Sequence, residues 1–459
     1  MRKAFLALLV LAVVAVAGWT GLWFYGKGRI VDEIEQQARI IRDRGGEATY
    51  DAIDVGGFPL GYTGRIVSPR VSMAQEMTMP ETGETVSARY TWSAPWIEAS
   101  ASVTAPDTLE MVFADAQEIV LDLPDTSAPL PIALTSENLT VTTRRSGDEI
   151  VFEGGTPVMG SSFTWESEED GAVDATYAAR DFTLSGRALQ EQSGDRTPQL
   201  AMTYAIAGMD GTATFAGTPE TPGGTVGFRT GPVEGTGDSL GQETTGALTV
   251  ADLVTTLTFP QLGNEPHDIG IGRLAMKTRI PNEASPEPQP FAYRVDIADV
   301  TLAELFWTLA DPTSSFEREF SSLVVDLDGT AIFETAPSNA EAFAKAMETR
   351  VPLRLQTMTV NDLTLDALGA KASASGTGAL EDGVPQATGA LAVEGFAGLM
   401  DGLVKSGRIP PQQAMVVQLM VESFARTEED GAIRFDFEAR DGMMYVNDIP
   451  VGEAPVIPQ

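Results

Sequence analysis

What most constrains this chain is a short alternation of apolar and polar residues that recurs along most of its length. Phe58, Leu60 and Tyr62 alternate with smaller residues, and so do Leu109, Met111 and Phe113. The sets Ile119, Leu121, Leu123; Leu139, Val141; Leu200, Met202, Tyr204, Ile206; and Leu253, Thr255, Leu257, Phe259 repeat the pattern. Ile433, Phe435 and Phe437 alternate with Arg434, Asp436 and Glu438, a strand with one wet face. A period of two puts alternate side chains on opposite faces of a sheet, so each set predicts a strand with one buried face. Gly and Pro interrupt the pattern about every ten residues, which predicts a long antiparallel meander. Frequent Thr and Val suit the pleated surface.

Helical spacing breaks this pattern in a few places. Val31, Ile34, Ala38 and Ile41 predict a helix from about Ile30 to Arg44, stopped by Gly45-Gly46. Its acids come first and its arginines last, which complements the helix dipole. Leu302–Leu309, Asn339–Arg350 and the stripe Phe396, Leu399, Met400, Leu403, Val404 predict three more helices. Pro410-Pro411 opens another, with the stripe Met415, Val416, Leu419, Met420 and Phe424. The methionines on these stripes read first as core filling. The alternative is an adaptable apolar surface. Thr218–Gly246 and Pro281–Pro290 are rich in turn formers and read as linkers or long loops.

At the N-terminus, Ala4–Tyr25 carries no charge. At about 1.5 Å per residue it spans roughly 33 Å as a helix, enough for a bilayer core. Arg2 and Lys3 precede it, and Trp19, Trp23, Phe24 and Tyr25 close it, as membrane interfaces favour. The expectation is a single-pass anchor with a cytoplasmic N-terminus and a periplasmic body. Ala15-Val16-Ala17 offers the alternative of a cleaved signal peptide. Both readings export the body. The expected organisation is an anchor at 1–29, a connecting helix at 30–46, a β-rich half at 47–280, a linker at 281–290 and a strand-and-helix half at 291–459.

Charge narrows the partners. The chain holds 65 acidic and 30 basic residues, a net −35. Phosphate backbones are repelled by such a surface, so nucleic acid is not an expected partner, and the charge also argues against a body lying flat on anionic lipid. There is no cysteine and one histidine, His267. This removes disulfides, thiolate nucleophiles and any site that needs two imidazoles from one chain. His267 in GNEPHDIGIG reads as a loop residue. The glycines there lack the lysine and helix of a phosphate loop. WESEED, from Trp165, and TEEDG, from Thr427, read as solvated acidic turns, with a weak calcium site as the alternative for each. No catalytic residue, metal site or cofactor is predicted. Gly57-Phe58-Pro59 is the most distinctive local signal: a strand corner, or the lip of a groove that touches a ligand.

Two segments resemble a known family. Ile53–Val71, IDVGGFPLGYTGRIVSPRV, is a strand ending in Gly-Phe-Pro followed by a second ending near Ser-Pro-Arg. The other is LTLDALGAKASASGTGALEDGVPQATGALAVEGFAGLMDGLVKSGRI, from Leu363, followed by a helix and GMMYVNDIPVGEAP. Together with the N-terminal span they resemble the domain-of-unknown-function 2125 family of bacterial envelope-type proteins. That resemblance implies a location and a β-rich fold, and no catalytic residues. The chain is also similar in architecture to AsmA-like proteins, whose long sheets form grooves for lipid chains. The expectation is a β-rich α+β fold: long curved antiparallel sheets with a few packed helices, preceded by one transmembrane helix. The expected function is binding or conduction of a lipid or other amphiphile along a sheet groove. A non-enzymatic envelope scaffold is the alternative, and a carboxylate-based hydrolase a more distant one.

Overall fold

The computed structural model describes residues 27–454 except 29, 33, 37, 44, 60, 79–84, 103, 124–127, 168–170, 190–198, 219–221, 338–342, 344, 347–352, 382–383 and 429–430. The apolar run Ala4–Tyr25 lies outside the described residues. Among the described residues no helix is long and apolar enough to cross a membrane. The protein is β-rich, built from long antiparallel ladders with few helices. It divides into two compact units. The N-terminal unit takes the chain up to Gln190 together with Met209–Thr225. The C-terminal unit takes Glu191–Gly208 and Val226–Gln459.

In the N-terminal unit the described residues between 27 and 43 are helical, and Gly45 leaves the helix at φ +84°. Ala38 is buried on the predicted stripe, and Arg39 pairs with Glu35 one turn back. The strands follow as β1 (Glu47–Thr49), β2 (Ala52–Gly56), β3 (Gly61–Val67), β4 (Arg70–Thr78), β5 (Thr85–Ser93), β6 (Trp96–Ser102), β7 (Ala105–Phe113), β8 (Ala116–Asp122), β9 (Leu130–Ser136), β10 (Thr140–Ser146), β11 (Glu149–Ser167) and β12 (Gly171–Leu189). The strands β3 and β4 are two halves of one run. It pairs along its whole length with the run made of β5 and β6, since β4 faces β5 and β3 faces β6. The next runs, β7 with β8 and β9 with β10, add in the same way, the long hairpin β11–β12 follows, and its second arm pairs on with a strand at Gly208–Gly217. Each arm of that hairpin has 19 residues, about 60 Å.

The break in each run falls on one line across the sheet. Ser68-Pro69, Ala94-Pro95, Ala114-Asp115, Glu137-Asn138 and Thr156-Pro157 stand side by side. The hydrogen bonds Ser68 N to Pro95 O (2.8 Å), Ala94 N to Pro69 O (3.2 Å), Ser136 N to Asp115 O (2.8 Å) and Glu137 N to Val158 O (2.9 Å) stitch them together. Proline is tolerated here because the ladder is already interrupted and asks for no N–H. Ser68, Asn138 and Asp181 take positive φ, near +51°. Asn and Asp tolerate that region better than most residues do. Thr156 is buried: its hydroxyl lies 2.7 Å from the carbonyl of Glu137 and accepts from the N–H of Glu137 at 3.2 Å.

The remaining strands are β13 (Leu200–Ile206), β14 (Gly208–Gly217), β15 (Pro222–Thr230), β16 (Val233–Asp238), β17 (Glu243–Thr258), β18 (His267–Pro281), β19 (Gln289–Leu302), β20 (Phe320–Phe333), β21 (Leu353–Ala367), β22 (Ala370–Glu381), β23 (Val384–Glu394), β24 (Arg426–Thr427), β25 (Ile433–Arg440), β26 (Met443–Val446) and β27 (Ile449–Glu453). Within the C-terminal unit they form a second antiparallel meander. It runs β13, β16, β17, β18, β19, β20, β21, β22, β23, β25, β26, β27, each strand paired with the next. A line of skipped positions crosses this sheet too. Asp252, Gly272, Asp299 and Ser321 fall out of the registers of β17 to β20. Asp252 has φ +49° and Asp299 +56°. The register is kept across the line, since Ala251 faces Arg273 before it and Leu253 faces Ile271 after it.

Two stretches of linker composition are folded. Thr218–Gly246 supplies β15, β16 and the start of β17. Its glycines answer close approach rather than turning: a Cβ on Gly235 would stand 2.2 Å from the Tyr204 ring. The expected 281–290 linker is the hairpin turn between β18 and β19. Asn282 N donates to Gln242 O and Ser285 N to Phe333 O, which pins the turn to both neighbouring strands.

The predicted helices appear as Glu304–Ala310, Phe396–Lys405 and Pro411–Phe424. Of the predicted helix 339–350, residues 343, 345 and 346 are described and helical. Trp307 and Met400 are buried, and Gly402 lets the Phe396–Lys405 helix approach the Phe316 ring. The stripe on Pro411–Phe424 departs from the core-filling expectation. Ala414 is buried, whereas Met415 is 63% and Met420 56% exposed. The 3.6-residue period fixes which residues share a face, and another element must arrive to cover it.

Candidate functional site

The sheet of the C-terminal unit has one apolar face, and its cross-strand neighbours form rows. One row reads Tyr204, Gly235, Leu248, Met276, Val295, Val325, Leu363, Ala374, Leu391, Phe435 from β13 to β25. The row beside it reads Ile206, Val233, Val250, Leu274, Ile297, Leu323, Leu365, Ala372, Val393, Ile433. No charged side chain interrupts either. The opposite face carries charge: Lys277, Arg294, Asp326 and Asp362 are successive neighbours, and Arg294 pairs with Asp326 and Asp296. Such a sheet ordinarily covers its apolar face with a second layer. Here few residues of the rows are fully buried, and Leu363 and Leu365 are 43% and 44% exposed.

Over β21 to β26 the apolar face hollows into a trough. Its rows are Met358, Gly378, Ala387, Ala439, Met444 and Val360, Gly376, Gly389, Phe437. Large side chains stand on the outer strands, and glycine and alanine occupy β22 and β23 between them. A Cβ on Gly376 would lie 2.7 Å from the Thr388 carbonyl, so the floor there is backbone. The hollow has a volume of about 430 Å³ and is walled by Met358, Val360, Leu363, Leu391, Phe437 and Met444. That volume lies within the range of small-molecule sites. The lining offers carbon almost throughout. The trough can hold a hydrocarbon chain by displacing water, and it supplies little to orient a polar group.

The residues singled out in the sequence lie elsewhere. Gly57-Phe58-Pro59 forms the turn between β2 and β3, with Gly57 at φ +96° and a cis Phe58–Pro59 bond. Phe58 is 48% exposed at this corner. His267 Nε2 lies 2.8 Å from Leu262 O, and its ring meets Phe306 edge-on, which accounts for it structurally. Parts of both acidic turns, 168–170 and 429–430, lie outside the described residues. Among the described residues no group of three or more Asp, Glu or His could hold a metal ion. The floor of the trough is spelled by Ala and Gly, in ASASGTGAL and ATGAL, residue types that carry no chemistry of their own. Small residues between large ones on paired strands were the available signal. Their meaning depends on which strands pair.

Comparison with known families agrees with the two quoted segments. The sequence model of DUF2125, an uncharacterized protein conserved in bacteria, matches residues 23–226 and 197–455. The chain belongs to this family. Neither a curated protein nor a solved structure matches it.

Proposed function

We propose that this DUF2125 protein is tethered to the inner bilayer through Ala4–Tyr25, with its body outside the cytoplasm, and binds the acyl chain of a lipid or similar amphiphile. The observation that carries this reading is the trough: an apolar hollow of about 430 Å³, floored by Gly and Ala and continuous with rows of half-covered aliphatic side chains. Exposed apolar surface is unfavourable in water, and a concave, mostly apolar hollow is the ordinary form of a small-molecule site. At about 0.8 kcal/mol per buried methylene, a chain laid along the trough gains affinity without any polar contact. The headgroup then lies in water, which makes the site selective for an alkyl chain rather than for a headgroup.

The test is a photoactivatable fatty-acyl probe added to the full chain in mild detergent, with the crosslinked peptides identified by mass spectrometry. Labels on β21, β23, β25 and β26 are expected, with competition by phospholipid. Labelling spread evenly over the protein, together with no co-purifying lipid, would overturn the reading. Protease digestion of intact spheroplasts tests the topology: a protected body refutes export.

A further inference from the structure

The helix Pro411–Phe424 is held by a narrow seat and turns an apolar face outward. At 100° per residue Ala414, Val421 and Phe424 share one side. Ala414 is buried, and the Phe424 carbonyl accepts from the Asn447 side-chain amide. Met415 and Leu419 lie on the other side, flanked by Val416 and Met420, and each of the four is more than half exposed. Ahead of the helix stand Lys405 and Arg408, both exposed. The Arg408 guanidinium donates to the carbonyl of Ala310, which ties this turn to the end of the helix Glu304–Ala310, where Leu309 is also exposed.

We propose that this face docks on the surface of an anionic lipid bilayer as a short interfacial helix. Charge argues for that occupant. From Gly402 to Val421 there is no Asp or Glu, the longest acid-free run of the C-terminal unit, in a chain of net charge −35. The cations Lys405 and Arg408 fall inside that run. Lipid phosphates attract them at about 1 kcal/mol each, roughly fivefold in affinity. Size argues the same way. One 14-residue helix, about 21 Å long, falls short of the roughly 800 Å² per partner that a stable dimer buries. It is sufficient for a helix sunk about 5–10 Å into a headgroup layer. Methionine suits a fluid, irregular partner, because its unbranched side chain adapts its shape.

The absence of cysteine makes the test clean, since one introduced thiol is unique. The full chain carrying Leu419→Cys, labelled with an environment-sensitive fluorophore, is reconstituted into vesicles containing about one-third phosphatidylglycerol and nitroxide-labelled lipid. Met415→Cys repeats the measurement, and Glu283→Cys in the β18–β19 turn serves as the reference. The expected result is a blue-shifted emission at 419 and 415, quenched severalfold more than at 283. Lys405→Gln/Arg408→Gln is expected to weaken this contact about 25-fold, two cations at roughly fivefold each. Equal quenching at all three positions overturns the proposal. So does a blue shift that follows protein density but not phosphatidylglycerol, which would place a second copy on the face. Filling the trough with Ala387→Leu/Ala439→Leu is expected to leave this quenching unchanged, so this result stands or falls apart from acyl binding.

Discussion

Filling the trough tests the acyl-chain reading most directly. Ala387 and Ala439 are register partners on β23 and β25, and both line the hollow. Ala387→Leu/Ala439→Leu adds about six carbons to that space. If each displaces one ligand methylene at about 0.8 kcal/mol, the gross loss is about 5 kcal/mol. The trough is open on one side, so about half of each methylene is already wet, leaving about 2.5 kcal/mol, near fiftyfold in affinity. The fold itself is expected to hold, because leucine suits a strand at least as well as alanine and the new side chains enter open space. The assay is titration of the full chain with a fluorescent fatty-acid analogue, alongside urea denaturation. Ala392→Leu is the control: it sits between Leu391 and Val393 on the charged face and pairs with Arg434. A folded double variant that binds within twofold of the parent, or a control that loses as much affinity, would refute the placement of the chain.

Four further outcomes follow from local geometry. Gly329→Ala puts a Cβ 2.1 Å from the Thr357 carbonyl oxygen, and backbone cannot move aside cheaply, so a loss of about 2–4 kcal/mol is expected in urea unfolding. Asp299 has φ +56°, so Asp299→Val is expected to lose about 1–2 kcal/mol while Asp299→Gly stays near parent, read as paired shifts in thermal midpoint. Thr156→Val leaves the groups around Glu137 without their hydroxyl partner and is expected to cost about 1–3 kcal/mol, with Thr156→Ser recovering most of it. Burial opposes ionisation of Asp311. The hydrogen bonds from Phe316 N–H (2.9 Å) and the Thr313 hydroxyl (3.0 Å) outweigh it and hold the carboxyl below its ordinary range. A depressed folded value means stability present above the unfolded pKa, near 4, and lost as pH falls through the folded one. Asp311→Asn is therefore expected to flatten the acid limb of the stability profile, and an unchanged limb would reject this role.

Much of the architecture was legible because its cause is local. Ile433, Phe435 and Phe437 against Arg434, Asp436 and Glu438 give an apolar and a charged face with no knowledge of the partner strand, and β25 sets the first three in the apolar rows, though Phe437 stays 39% exposed. The helices ending near Arg44 and beginning at Pro411 were marked by residues that act within a turn. Glycine misled, because it has two uses. In Thr218–Gly246 it reads as a turn former, yet Gly235 lies in β16 under the Tyr204 ring, a contact set by residues 31 positions apart. The trough was illegible for the same reason. Gly376, Gly389, Val360 and Phe437 become one hollow only when β21, β22, β23 and β25 lie side by side in one register.

What the sequence by itself determined is the two-residue period, the faces it creates, the acidic surface and the family. These depend on neighbours a few bonds away and on the sum of charges. What only the tertiary structure decided is which apolar faces are covered. Met400 is buried, whereas Met415 and Met420 on an equally clear stripe face outward. Burial is a relation between elements distant in the chain, and no local pattern states whether a second element comes to lie against the first.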